Sequence, residues 1–375
     1  RAELGRVKTA VFGKSIGEGR RKLGMAETNI LLEGWSPVCN IQAFVEENGA
    51  AVYFYLWVNP GTEAQEVRSC WVCNTAPGME EMDLAAMQGG EAPRMPLEYV
   101  NHAPEGMRLD AGQLSIVWFE EGDAAALLEG EQIIAVIPGW AGKQFPGYSR
   151  YARGQSPLAW ELIPALPVLE ARTQRSRAYW EAMEGDYFEE LQGQQFAAIE
   201  AFFGPYRQYF SIDGGEFPPR ALVTGERNKN LYAFTLGNAA LAQPQVEQYC
   251  QEETFKYRRF ELGAAFPPGT DPDGAMAMLR YMAAQVSLPW REISWLGHGH
   301  TVLCDAAPGY EAVMLVNPAL CEVEAGPGYP EFMGEPVNLL WLMLLTGEEY
   351  REAVETGSDA LLGRKGVDPA GWNLI

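Results

Sequence analysis

Trp295-Leu-Gly-His-Gly-His-Thr-Val-Leu-Cys304, Tyr310-Glu-Ala-Val-Met-Leu-Val-Asn-Pro318 and Pro336-Val-Asn-Leu-Leu-Trp-Leu-Met-Leu-Leu345 follow one another near the end of the chain. A charged stretch then closes on Gly357-Ser-Asp-Ala-Leu-Leu362. Apolar runs of this length, rich in branched and aromatic residues and bounded by Gly, Pro and Asn, have the signature of strands. The order strand, strand, strand, helix predicts a sheet with strands around Leu303, Leu315 and Trp341, finished by an acidic helix.

Working outward, Gln208–Ile212, Leu231–Gly237 and Arg258–Phe266 read as further strands, the last alternating charged and apolar residues. Ala275–Val286 places Met276, Leu279, Met282, Ala283 and Val286 on one side of a helix. Upstream, Ile41–Val45 and Ala51–Trp57 flank the turn Glu46-Glu-Asn-Gly49 and predict a hairpin, with Val67–Cys73 as a third strand. Leu114–Phe119 and Gln132–Pro138 are strands, and Glu120–Leu128 between them predicts a short helix with acids in its first turn. Residues 165–203 are helical by their three-and-four spacing. The fold class is therefore α+β, two regions each with a mixed, mainly antiparallel sheet flanked by helices. The divisions are a lead-in of residues 1–30, an N-terminal domain of 31–195 and a C-terminal domain of 196–375.

The chain has 375 residues, 47% of them hydrophobic, and a formal charge of −22. It is long enough to bury substantial cores. That charge repels phosphate backbones and anionic lipid, so neither nucleic acid nor membrane is an expected partner; a basic protein or peptide is. The same charge also serves ordinary solubility. No apolar run approaches a bilayer span, and six cysteines are too sparse for a disulfide scaffold, which makes cytoplasm the default location. A faint echo links Gly122-Asp-Ala-Ala-Ala-Leu-Leu128 with Gly357-Ser-Asp-Ala-Leu-Leu362, through duplication or through chance reuse of a common pattern.

Motifs for chemistry are few. His298 and His300 would share a face if on a strand and reach one metal, which would suit a metal-dependent hydrolase. The other reading is a Gly-rich turn or strand end whose imidazoles bond to backbone. Cys70-Trp-Val-Cys73 has redox or zinc spacing, yet lies in a predicted strand with no second pair, so two buried thiols fit better. Gly13-Lys-Ser15 has only the end of a phosphate-binding loop. The acids Glu120, Glu121 and Asp123, and Glu348, Glu349 and Glu352, read as helix-surface groups and not as catalysts. The loop Gly139–Gly154 carries Trp140, Phe145, Tyr148 and Tyr151 with Lys143, Arg150 and Arg153. Aromatic and arginine anchors favour interfaces, while a loop folded over the core uses the same residues.

Taken in order, Phe203-Gly-Pro-Tyr206, Arg258-Arg-Phe-Glu-Leu262, Leu288-Pro-Trp290 before Trp295, Gly299-His-Thr-Val302, Glu311–Asn317 and Pro336–Leu362 resemble the Suppressor of Fused domain. The likeness covers roughly residues 200–365; residues 41–160 resemble the accompanying region of longer bacterial relatives. It implies an α+β domain without catalytic residues or cofactor that acts by binding protein. The animal relative grips a short peptide strand between two lobes, whereas bacterial relatives are read as immunity proteins against secreted toxins, here a basic one. The candidate partner-binding residues are Trp140, Phe145, Tyr148, Tyr151, Trp295, His298, His300 and Asp359. This chain lacks the pattern of the animal protein's long C-terminal lobe, which leaves the two-lobe grip without sequence support.

Overall fold

The computed structural model describes residues 28–88, 92–142, 144–321 and 326–365. Most of the expected lead-in, the Gly13-Lys-Ser15 motif and Lys143 lie outside them. The chain divides into two compact units, Arg1–Glu181 and Ala182–Ile375.

The first unit opens with four consecutive antiparallel strands, β1 (Asn29–Trp35), β2 (Ile41–Glu47), β3 (Ala51–Val58) and β4 (Glu66–Asn74). The predicted hairpin is β2–β3. Asn48 fastens its turn, the side chain accepting from the N–H groups of Ala50 and Ala51. A second sheet follows in chain order: β5 (Leu114–Trp118), β6 (Ala125–Glu129), β7 (Gln132–Ile137), β8 (Tyr148–Ser149) and β9 (Trp160–Glu161). Helix α1 (Leu166–Met183) buries Leu169 with Phe119, Ala126 and Leu128.

Where a short helix was expected at Glu120–Leu128, the chain makes a turn and then strand β6. Gly122 has φ +78°, and a Cβ there would lie 2.3 Å from Val38 Cγ2; neither suits a helix. The acids face inward, not outward. Glu120, Glu121 and Asp123 are all buried, and Arg175 and Arg172 of α1 pair with Glu120 (2.8 Å) and Glu121 (3.3 Å). Since Ala125–Glu129 is a strand and Ser358–Lys365 a helix, the echo between them is one of letters, not of structure.

The second unit is built on a seven-stranded sheet, in spatial order β10 (Gln208–Ser211), β11 (Ala221–Arg227), β12 (Asn230–Leu236), β13 (Phe260–Phe266), β16 (Asn338–Leu345), β15 (Ala312–Val316) and β14 (Thr301–Leu303). All neighbours are antiparallel except β13 and β16. Helix α2 (Tyr187–Phe203) lays Ile199 and Phe203 on this sheet's core, where Phe234 and Trp341 meet edge-on at 5.6 Å. The boundary expected near 195 falls inside α2, whose residues Ile199 and Phe203 join the second unit's core; the two compact units divide after Glu181. The longer helices α3 (Pro272–Gln285), α4 (Gly347–Thr356) and α5 (Ser358–Lys365) also belong to the unit.

The charged residues around β13 do not alternate towards solvent as their pattern suggested. Arg258, Arg259 and Glu261 are all buried. Arg259 Nε donates to Glu335 Oε2 at 2.7 Å and its Nη1 to the Ala239 and Ala240 carbonyls, while Arg258 clasps the same carboxylate. The guanidinium of Arg259 also lies 4.7 Å from the Phe332 ring. This cluster ties the segment before β16 to the start of β13. Glu261 accepts from Gln195, Thr235 and the Ala239 N–H. Burial nevertheless pushes its pKa up to about 7.

Candidate functional site

In the second unit the Gly-His-Gly-His segment is a turn, not a strand, and each glycine has a steric reason. A Cβ on Gly297 would meet the Trp295 ring at 2.4 Å; Gly299 has φ +81° and faces Ser358 at 3.0 Å. The turn is held from two sides. Gly299 N–H donates to the Leu315 carbonyl, and Leu315 N–H to the His300 carbonyl. On the other side the Ser358 hydroxyl, at the start of α5, donates to the Gly299 carbonyl at 2.5 Å.

Both imidazoles are engaged by backbone. His298 Nδ1 accepts the Asn317 N–H at 3.0 Å, which leaves the proton on Nε2, directed at Asp359 3.9 Å away. His300 Nδ1 lies 3.2 Å from the Trp295 carbonyl and its ring stands edge-on to the Trp295 ring at 4.4 Å. Desolvation lowers both pKa values; Asp359, almost fully exposed, opposes this only partly for His298. Both rings are therefore neutral near pH 7. Among the described residues no group of three or more His, Cys, Asp or Glu gathers as a metal would require. The hydrolase reading built on His298 and His300 has no support in this arrangement.

What the turn does build is a groove of about 710 Å³. Trp295, Leu296, Gly299 and His300 line it with strand β14, and Ala353, Val354 and Ser358 face them from α4 and α5. Leu303 is 64% and Val354 66% exposed. Among the described residues strand β14 is an edge of the sheet, paired only with β15, and the Tyr281 hydroxyl donates to the Leu303 carbonyl at 3.0 Å. The opposite wall is stiff. Thr346 and Glu349 form a reciprocal cap at the start of α4, and Arg364–Glu352 and Lys365–Glu349 pairs (both 2.6 Å) join α5 to α4.

Of the expected partner-binding residues, Trp295, His298, His300 and Asp359 thus come together around the 297–300 turn, and Trp295 and His300 line the groove. The other four lie in the first unit. Phe145, 6% exposed, is packed among Trp140, Tyr148 and Trp160 with centroids 4.4–4.8 Å away, and Tyr151 meets His102 edge-on at 6.2 Å. This loop closes over the core, with Trp140 at its rim. Leu303, Val354 and Ser358 escaped the sequence reading. Val354 was the readable one, an apolar residue on the outer side of a charged helix.

The thiols are structural. Cys70 and Cys73 are fully buried in β4, and burial raises both pKa values, that of Cys73 to about 12. All six cysteines are free. No described helix is long and apolar enough to cross a membrane.

Compared with known proteins, residues 213–371 match the family model described as Suppressor of fused protein (SUFU). No curated protein matches the chain.

Proposed function

We propose, from the premise that residues 213–371 are a Suppressor of fused domain, that this chain is a non-catalytic protein-binding protein. Its second unit holds an extended segment of one protein partner in the groove beside β14. The observation that carries this reading is the groove itself, an open trough with apolar residues exposed on both walls, Leu303 on an edge strand and Val354 on a fixed helix. An edge strand offers unpaired backbone groups to an extended chain, and alternate side chains of that chain would reach the trough. Because the Leu303 carbonyl already accepts from Tyr281, side-chain burial carries more of the affinity than a long ladder of backbone bonds.

The net charge of −22 suits a basic partner encountered in the cytoplasm, and a toxin neutralised by this chain is the finer form of the proposal. The test is a photo-cross-linking amino acid placed at position 303, at 354 and, as a control, at the 73% exposed Val168 of α1. Cross-linked in its own cells, the chain should give the same single polypeptide adduct from 303 and 354 and not from 168. Adducts indistinguishable among the three positions, or none at 303 and 354, would refute it.

A further inference from the structure

The outward face of the first sheet bears an aromatic strip. Cross-strand pairing puts Trp35, Gln42, Trp57 and Val67 in one row and Glu33, Phe44, Tyr55 and Ser69 in the next; directly paired residues share a face. Phe44 stacks on Tyr55 at 4.8 Å and meets Trp57 at 6.0 Å. The opposite face of these strands, with Ile41, Ala43, Val45, Phe54 and Leu56, is the buried one. A third outward row, Ile30, Glu46, Tyr53 and Trp71, is covered at one end. There the Tyr53 hydroxyl donates to the Pro93 carbonyl and Trp71 lies against the His102 ring. In the first two rows Trp35 is 54% and Val67 50% exposed and Glu33 is exposed, while Gln42, Phe44, Tyr55, Trp57 and Ser69 are half-buried.

The charge on this strip has one sign. Glu33 is exposed and Glu46 half-buried, no Lys or Arg occurs in the three rows, and among the described residues no ion pair reaches either carboxylate. Burial raises the Glu46 pKa, because desolvation disfavours the charged carboxylate. Ring faces beside carboxylates suit a guanidinium better than an ammonium, since the planar ion stacks on aromatic faces while its N–H groups pair with carboxylate oxygens. The same carboxylates disfavour phosphate-bearing ligands.

We propose that this face binds an arginine-bearing segment of a partner protein, laid across Trp35, Phe44, Tyr55 and Trp57 with guanidinium groups against Glu33 and Glu46. The surface belongs to the first unit, and the proposal does not depend on the groove.

The test titrates the full chain with the blocked peptide acetyl-Gly-Arg-Val-Arg-Val-Arg-Gly-amide at low salt, read by calorimetry and tryptophan fluorescence. The expected result is saturable one-to-one binding. It should weaken about tenfold or more in Glu33→Gln/Glu46→Gln and again in Trp35→Ser, and be weaker for the lysine version of the peptide. Glu348→Gln/Glu355→Gln, which removes equal charge elsewhere, should stay within about twofold. The changed side chains at 33 and 35 are exposed and the Glu46 change is isosteric, so folding is retained, and circular dichroism verifies this. The proposal is overturned by any of four results: no saturable binding, equal weakening by the control pair, loss on Val354→Glu (which moves the peptide to the groove), or a concentration-dependent dimer that Trp35→Ser abolishes, which makes the occupant a second copy.

Discussion

Replacing Glu335 by Gln changes one atom of a carboxylate that two buried guanidinium groups share. The Arg259 side chain is 0% exposed, that of Arg258 3% and that of Glu335 11%. After the change Arg259 keeps its bonds to the Ala239 and Ala240 carbonyls, while both guanidinium groups lose the negative charge of the carboxylate they share. Removing one partner of a buried pair costs about 3–5 kcal/mol. The amide oxygen still accepts one bond, so we expect the lower end, about 3 kcal/mol, or roughly 6–12 °C in melting temperature for a unit of this size. The native contribution also has a pH window. Burial acts to raise the Glu335 pKa, Arg258 and Arg259 more than reverse this, and the net value lies below the usual 4.5. The stabilisation is therefore fully present above pH 4.5 and lost as pH falls through the lowered value. Calorimetry and urea unfolding, followed by tryptophan fluorescence on the transition of the second unit, measure it. A loss under about 1 kcal/mol, the scale of a surface ion pair, would refute the reasoning by showing that water reaches the cluster.

Glu261 should act with the opposite sign. Its folded pKa is raised from 4.5 to about 7 by burial, so its favourable contribution is complete below pH 4.5 and disappears as pH climbs to 7. The difference between Glu261→Gln and the native chain should move by roughly 3 kcal/mol in the variant's favour over that range; a difference flat in pH contradicts this. Thr346→Ala removes one half of the reciprocal cap on α4 and should cost about 1 kcal/mol in urea unfolding. No measurable loss would mean that the packing of α4, not its cap, holds this wall. Zinc added well above protein concentration should leave the melting temperature of the native chain and of His300→Ala equally unchanged. A rise confined to the native chain would revive a metal site at the turn, because ligand binding to the folded state stabilises it.

Much of the second unit was readable because its strands are nearly pure apolar runs cut by Gly, Pro and Asn; β16, with seven of its eight residues buried, is the clearest. Strand β11 was not seen, since Thr224 and Gly225 interrupt its pattern, and Gly225 is needed because a Cβ would strike the Phe203 ring at 2.2 Å. The turn at 119–124 was misread for a physical reason. Acids before an alanine-rich run look like a helix start until arginines about fifty residues later, Arg172 and Arg175, turn them inward. The histidine turn showed its glycines but not their cause, which is the approach of Ser358 and the Trp295 ring. The groove was only half legible. Trp295 and His300 announced themselves, whereas Leu303 and Val354 acquire meaning only when α4 is brought opposite β14.

The most direct measurement is the calorimetric dissociation constant of the polypeptide captured at position 303 for the native chain, Leu303→Asp, Val354→Glu and Val168→Glu. A central apolar contact replaced by a charge should weaken binding about 100-fold or more. We therefore predict that loss for Leu303→Asp and Val354→Glu, with Val168→Glu unchanged. Native affinity retained by both groove variants would contradict the account.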